Sequence, residues 1–132
     1  MIDYPQVELD FMNRDHAEFT RLHSKLLELL GSQATDAEVD EMLNTLAEHT
    51  RNHFAAEEQA MRDAEFPPYP VHKEEHAQVL VDMLDRIERW HQNRDTEALK
   101  DYLAHTLPAW FTHHVGNMDR VTARYIATSQ QG

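Results

Sequence analysis

The chain has 132 residues, enough for one domain with a substantial core and too few for two, so we expect a single domain over residues 1–132. Twelve Lys and Arg stand against 24 Asp and Glu, and the formal net charge of −12 argues against nucleic acid as a partner, because that binding needs clustered basic side chains. The absence of cysteine excludes thiolate ligands and disulfides and leaves His, Asp and Glu as candidate metal ligands.

The sequence contains no recognisable signal peptide or membrane-spanning segment. Residues 1–9 are neither basic nor apolar enough for a signal peptide, and no stretch approaches the ~20 apolar residues of a membrane span. We therefore expect a cytoplasmic protein with no membrane partner, present as a monomer or a small homo-oligomer.

The first half of the chain contains two predicted helices. The first covers residues 9–30, where apolar side chains recur at helical spacing and Gly31 follows as a stop. The second covers residues 36–63 and begins after Thr35, whose spacing to Glu38 is typical of a capping box.

Two further helices are predicted in the second half. Three prolines between residues 67 and 70 force a turning connection, so the third helix is predicted over residues 71–92. Asp95 is a candidate N-cap for the fourth, over residues 96–127, in which Pro108 predicts a kink or a one-turn break. Four amphipathic helices joined by short loops predict an all-α, up-down-up-down four-helix bundle.

Ten histidines are unusual for this length, and their spacing indicates a chemical role. His53 and Glu57 are four residues apart on the second helix, as are His72 and His76 on the third. Side chains at this spacing lie on one helix face, so each pair can reach the same inward point. Either pair alone would be weak evidence of a metal site.

The first and fourth helices contribute the remaining candidates. His16 falls on the core-facing side of the first helix, with Phe19. His114 and Asp119 are five residues apart, which places them ~140° apart around a regular α-helix, so they would straddle the inward direction. Taken singly, such residues are more often ordinary core histidines or surface acids. Five histidines and two carboxylates buried together without a metal would, however, be strongly unfavourable.

The motifs resemble those of the hemerythrins, in particular the single-domain bacterial members. The resemblance covers about Asp10 to Tyr125. It rests on three stretches, which read HFAAEEQAM at 53–61, YPVHKEEH at 69–76, and WFTHHV at 110–115 followed by Asp119.

The resemblance implies a four-helix bundle that holds two iron ions bridged by an oxo or hydroxo group. The residues matching the family's ligands are His72, His76 and His114 for one iron, His16 and His53 for the other, and Glu57 and Asp119 for the bridges. The second iron would then be five-coordinate, with dioxygen as the ligand of its open position. Four residues are expected to line an oxygen pocket or to stand behind the ligands: His49, Phe54, Trp110 and Phe111.

The chain departs from the usual family pattern in several places. It lacks the N-terminal tryptophan segment common in the bacterial members, and it has Asp15 where Gln is frequent, His49 where Tyr is frequent and Phe111 where Leu is common. His49 could be a hydrogen-bond partner near the irons or a boundary residue without a role. The remaining histidines are predicted to be solvated or at the edge of the core: His23, His91, His105 and His113.

Other classes of function compete with this one. A ferritin-like oxidase needs two Glu-x-x-His motifs, and the chain has only Glu88/His91. A metal-free helical interaction bundle is the remaining non-metal alternative. Within the di-iron hypothesis we expect a non-enzymatic oxygen carrier or store, while an oxygen or redox sensor, and an enzyme acting on peroxide or nitric oxide, stay open.

Overall fold

A computed structural model of the protein describes residues 2–131, with side chains to residue 130. The chain forms an all-α four-helix bundle, which confirms the predicted fold class. The first three helices are Asp10–Leu30, Asp36–Asp63 and Tyr69–Asn93, and the fourth runs over residues 96–131. Within residues 2–131, no helix is both long enough and apolar enough to cross a membrane.

The helix ends follow the local signals in the sequence, with one correction. Thr35 Oγ1 accepts the backbone N–H of Glu38 at 3.2 Å, and Asp95 Oδ1 accepts that of Ala98 at 3.1 Å. The third helix begins at Tyr69, two residues before the predicted start, and includes Pro70 in its first turn. The prediction was wrong there because a proline in the first turn removes an N–H that has no helical partner in any case.

The fourth helix is interrupted by two π-helical turns, Tyr102–Thr106 and Val115–Asp119. The α-helical parts around them are Thr96–Asp101, Leu107–His114 and Arg120–Gln131. The one-turn break predicted at Pro108 is present as the first π turn, just before the proline, and the helix continues four residues past its predicted end. Each π turn adds one residue to a turn, which shifts the face presented by all residues that follow.

His23 explains how the first π turn is accommodated. The N–H of Leu107 bonds to the carbonyl of Tyr102, five residues back. In the same register Pro108 would donate to Leu103, but proline has no N–H. His23, buried at 3 % exposure, instead donates from Nε2 to Leu103 O at 2.5 Å. Burial lowers the pKa of His23, so the ring is neutral. The prediction of a solvated or core-edge His23 was therefore wrong.

We expect His23→Leu to lower the free energy of unfolding by about 1–3 kcal/mol, because the buried carbonyl of Leu103 would lose its donor. Urea unfolding monitored by circular dichroism measures the change. In the His23→Leu/Pro108→Ala double variant the new backbone N–H supplies a donor, so the cost of His23→Leu should shrink. An equal cost with and without Pro108→Ala would contradict this role for His23.

Two apolar clusters lie on either side of a buried polar layer. The larger includes Phe19, Leu26 and Leu103, and the smaller includes Met12 and Met61. Along the first helix, Met12 and Phe19 therefore belong to different clusters, and His16 lies between them. The polar layer lies toward the end of the bundle where the first and third helices begin, since His16 is six residues after Asp10 and His72 three residues after Tyr69.

Candidate metal centre

All seven predicted ligands lie in the polar layer and are buried. His53 is 8 % exposed and the other six are at most 2 % exposed. Their ligand atoms form two groups, each within 4.8 Å across. One group contains three histidines and the other two, and both include the same two carboxylates; the members are His72, His76 and His114, then His16 and His53, with Glu57 and Asp119 shared.

The three-histidine group is compact. His72 Nε2 lies 3.3 Å from His114 Nε2 and 3.1 Å from Asp119 Oδ1. His114 Nε2 is 3.0 Å from the same Asp119 oxygen. His76 Nε2 lies 3.2 Å from Glu57 Oε1, which is 3.4 Å from His72 Nε2. Donor atoms at right angles around one metal, bound at about 2.1 Å, are about 3 Å apart, so these spacings fit a single ion.

The two-histidine group uses the opposite oxygen of each carboxylate. His16 Nε2 lies 2.9 Å from Asp119 Oδ2 and 3.8 Å from Glu57 Oε2. His53 Nε2 contacts Glu57 Oε2 directly. Each carboxylate therefore presents one oxygen to each group of histidines, which is the geometry of a bridge between two ions.

Unpaired polar atoms test whether the cluster fits a metal. Both carboxylate oxygens of Glu57, and Nε2 of His53 and of His76, are buried without a hydrogen-bond partner although they face one another. Such atoms are strongly destabilising when they stay unpaired. Imidazole nitrogen combined with carboxylate oxygen suits iron and related transition metals. The residues present thus fit a metal pair.

In the metal-free protein, hydrogen bonds and neighbouring charges shift the pKa values of several predicted ligands. Burial by itself lowers the pKa of His53, but the charge of Glu57 and a hydrogen bond to Asp15 outweigh it and raise this pKa to about 10. Burial opposes the charged form of Glu57 too, yet His53 and His16 hold its pKa well below the usual value. Without metal, therefore, protons on the histidines compensate the carboxylates, and metal binding has to displace them.

The second π turn brings His114 and Asp119 together. The backbone N–H of Arg120 bonds to the carbonyl of Val115, five residues back. In a π turn, residues five apart lie nearly above one another. His114 and Asp119 therefore share one inward face of the helix, instead of lying on either side of the inward direction. The sequence prediction assumed a regular α-helix, so it did not include this shared face.

Comparison with known proteins agrees with the geometry. The family model described as the hemerythrin HHE cation binding domain matches residues 7–126. The chain belongs to the hemerythrin family. It is 28 % identical over 116 residues to a bacteriohemerythrin of Aquifex aeolicus (strain VF5), covering 88 % of each chain. It is 36 % identical over 107 residues to a bacteriohemerythrin of Ralstonia nicotianae (strain ATCC BAA-1114 / GMI1000), covering 80 % of this chain and 77 % of the relative. No solved structure matches the chain.

Four of the five predicted ligand histidines in this hemerythrin use Nδ1 to bind a neighbour. His53 Nδ1 donates to Asp15 at 2.7 Å and His114 Nδ1 to Glu75 at 2.7 Å. The same contact joins His76 to Glu58 at 3.0 Å and His72 to the hydroxyl of Thr122 at 2.8 Å. A proton on Nδ1 leaves the lone pair of Nε2 free for a metal and fixes the ring plane.

The sequence did not predict these hydrogen bonds, and among the four partners only Asp15 stood out, as a departure from the family pattern. The acids have a sequence signal, because Asp15, Glu58 and Glu75 each directly precede or follow one of the predicted ligands. Thr122 has no such signal, since it becomes a neighbour of His72 only when the third and fourth helices pack together.

A small cavity lies beside the two-histidine group. Its volume is about 20 Å³, and its lining includes the four residues predicted for the oxygen pocket, His49, Phe54, Trp110 and Phe111. Phe54 stacks on His76 with centroids 3.9 Å apart, and Trp110 stacks on His114 at 4.6 Å. His49 donates from Nε2 to the backbone oxygen of Asp15 at 3.1 Å. The cavity is largely walled by aromatic rings.

Proposed function

We propose that this hemerythrin holds two iron ions, bridged by Glu57 and Asp119 together with an oxo or hydroxo group, and binds dioxygen reversibly as a carrier or store. His72, His76 and His114 would hold one iron, and His16 and His53 the other. The observation that carries the proposal is the division of each carboxylate's two oxygens between a three-histidine and a two-histidine group.

The unequal histidine count supports a place for an external ligand. With two bridging carboxylates shared by both groups, the side of His16 and His53 has one protein ligand fewer. When bound there, a reduced iron pair supplies the electrons that dioxygen binding requires. The protein's part is to hold the ligand set and leave one position for a small molecule.

The size of the cavity supports a diatomic ligand. About 20 Å³ exceeds the roughly 10–15 Å³ that one water molecule needs, but by little. Phe54, Trp110 and Phe111 supply apolar walls, which favour an uncharged gas over water. A larger organic substrate would not fit without displacing aromatic side chains that pack on the ligands.

Reversible dioxygen binding is tested by stopped-flow spectroscopy of the reduced, iron-loaded protein. We expect a rapid spectral change on mixing with dioxygen and a return to the starting spectrum when dioxygen is removed, because the walled cavity keeps water from the centre. Iron content, expected at about two per chain from the two groups of ligand atoms, is measured on the same sample.

The same experiment separates the other candidates. One-way conversion to the oxidised protein would overturn the carrier proposal and favour a sensor or an enzyme acting on peroxide or nitric oxide. A stable, correctly folded protein that takes up no metal would favour the interaction bundle. A cytoplasmic location, a single domain and a monomer or small homo-oligomer stay predictions of the sequence.

A further inference from the structure

The N-terminal strap, defined here as residues 2–8, runs along the bundle before the first helix begins. Val7 N–H donates to Asn13 Oδ1, and Asn13 Nδ2 donates back to Val7 O, both at 2.8 Å. At its other end the hydroxyl of Thr112 donates to the backbone oxygen of Asp3 at 2.7 Å. The strap is thus tied to the first helix at one end and to the fourth at the other.

The strap lies over the seam between the first and fourth helices. The closest backbone approach of these two helices involves residues 96–106 of the fourth. His114 and Asp119 are in the part of the fourth helix that follows, so the metal centre lies beyond this closest approach. Pro5 packs beside Gly116 in the second π turn. The strap therefore covers the seam between the two helices at the level of the centre.

Tyr4 is the strap residue that points at the centre. Its half-buried ring meets His16 edge-on with centroids 6.0 Å apart, and Phe111 edge-on at 5.5 Å. Phe111 in turn stacks on Phe19 at 4.5 Å and meets His16 at 5.6 Å. Phe111 lines the cavity while Tyr4 stands behind it. Tyr4 thus braces both a cavity wall and a predicted ligand.

We propose that Tyr4 is a positioning residue, which holds Phe111 and His16 in place and closes the metal pocket against water and small anions. The inference rests on the proposed function, since it concerns access to the position beside His16 and His53. His16 depends on such bracing because its Nδ1 is buried without a partner, whereas the other four predicted ligand histidines are each fixed by a hydrogen bond from Nδ1. Nothing in the sequence motifs indicated this role.

The test compares Tyr4→Ala with Tyr4→Phe and with Tyr125→Ala as a matched control. Tyr125 is 40 % exposed and packs on Phe66, outside the centre. Two rates are measured: azide association with the oxidised iron protein, and loss of cobalt(II) from the cobalt-loaded protein to a chelator. For Tyr4→Ala we expect both to be about tenfold faster, because losing two aromatic contacts raises the population of an open pocket by about that factor.

The variants separate positioning from general stability. Tyr4→Phe keeps the ring and should retain the wild-type rates, and Tyr125→Ala should retain them even if its melting temperature falls. Unchanged rates in Tyr4→Ala, or equal acceleration in Tyr125→Ala, would overturn the inference. If Tyr4→Ala does not fold, accelerated rates in Tyr4→Phe overturn it and wild-type rates there support it. A wild-type protein that holds no iron would overturn the proposed function instead, and the cobalt measurement would still decide the role of Tyr4.

Discussion

Glu57→Gln should abolish the binuclear centre, lowering the iron content of purified protein from about two per chain to well below one. Both oxygens of Glu57 lack a hydrogen-bond partner, and each is directed at a different group of histidines. An amide of the same shape removes the negative charge and replaces one acceptor oxygen by a donor NH₂. Because one side chain serves both ions, the loss of iron affinity should exceed the 10- to 100-fold loss that is typical when a hydrogen-bond partner of a ligand is replaced.

The measurement is iron per chain, together with the near-ultraviolet absorption of the oxidised centre. Glu48→Gln is the matched control, since Glu48 is an exposed glutamate on the same helix and should bind iron as the wild type does. Circular dichroism verifies that both variants keep their helices. A Glu57→Gln protein with two irons and an unchanged spectrum would refute the bridging role.

Removal of iron should lower the melting temperature by about 15 °C or more. A ligand present at about 1,000 times its Kd stabilises the folded state by about 4 kcal/mol, and each kcal/mol corresponds to about 4 °C in a chain of this size. The destabilisation arises in the buried polar layer. Without metal, the negative charges of its carboxylates are balanced only by protons on its histidines. Differential scanning calorimetry before and after chelation measures the shift.

Two controls make the chelation result specific. Iron added back to the chelated protein should restore the original melting temperature. Glu57→Gln, which has no centre to lose, should melt at the same temperature with and without chelator. If verified iron removal leaves the wild-type curve unchanged, the cluster is not a stabilising metal site.

The fold was predictable because its signals are local. The capping residues Thr35 and Asp95 mark helix starts where the structure has them, and Gly31 follows the end of the first helix. Pro70 misled because a proline is tolerated in a first turn. Pro108 correctly indicated a one-turn interruption, which takes the form of a π turn supported from outside the helix by His23.

The candidate ligands could also be predicted from the sequence, since their spacing places His53 and Glu57 on one helix face, and His72 and His76 on another. The partition into two groups, with the carboxylate oxygens divided between them, required coordinates. So did the hydrogen-bond partner of His72, because Thr122 is 50 residues away along the chain.

Four amphipathic helices, the absence of thiolate chemistry and an inward set of seven polar residues follow from the amino-acid sequence, because periodicity and composition are properties of the chain. Two features depend on tertiary packing: the second π turn, which aligns His114 with Asp119, and the strap, which sets Tyr4 against His16 and Phe111. The first depends on a hydrogen-bond register that no local motif fixes. The second depends on residues more than 100 positions apart meeting across a seam between helices, and such contacts form only when the whole bundle packs.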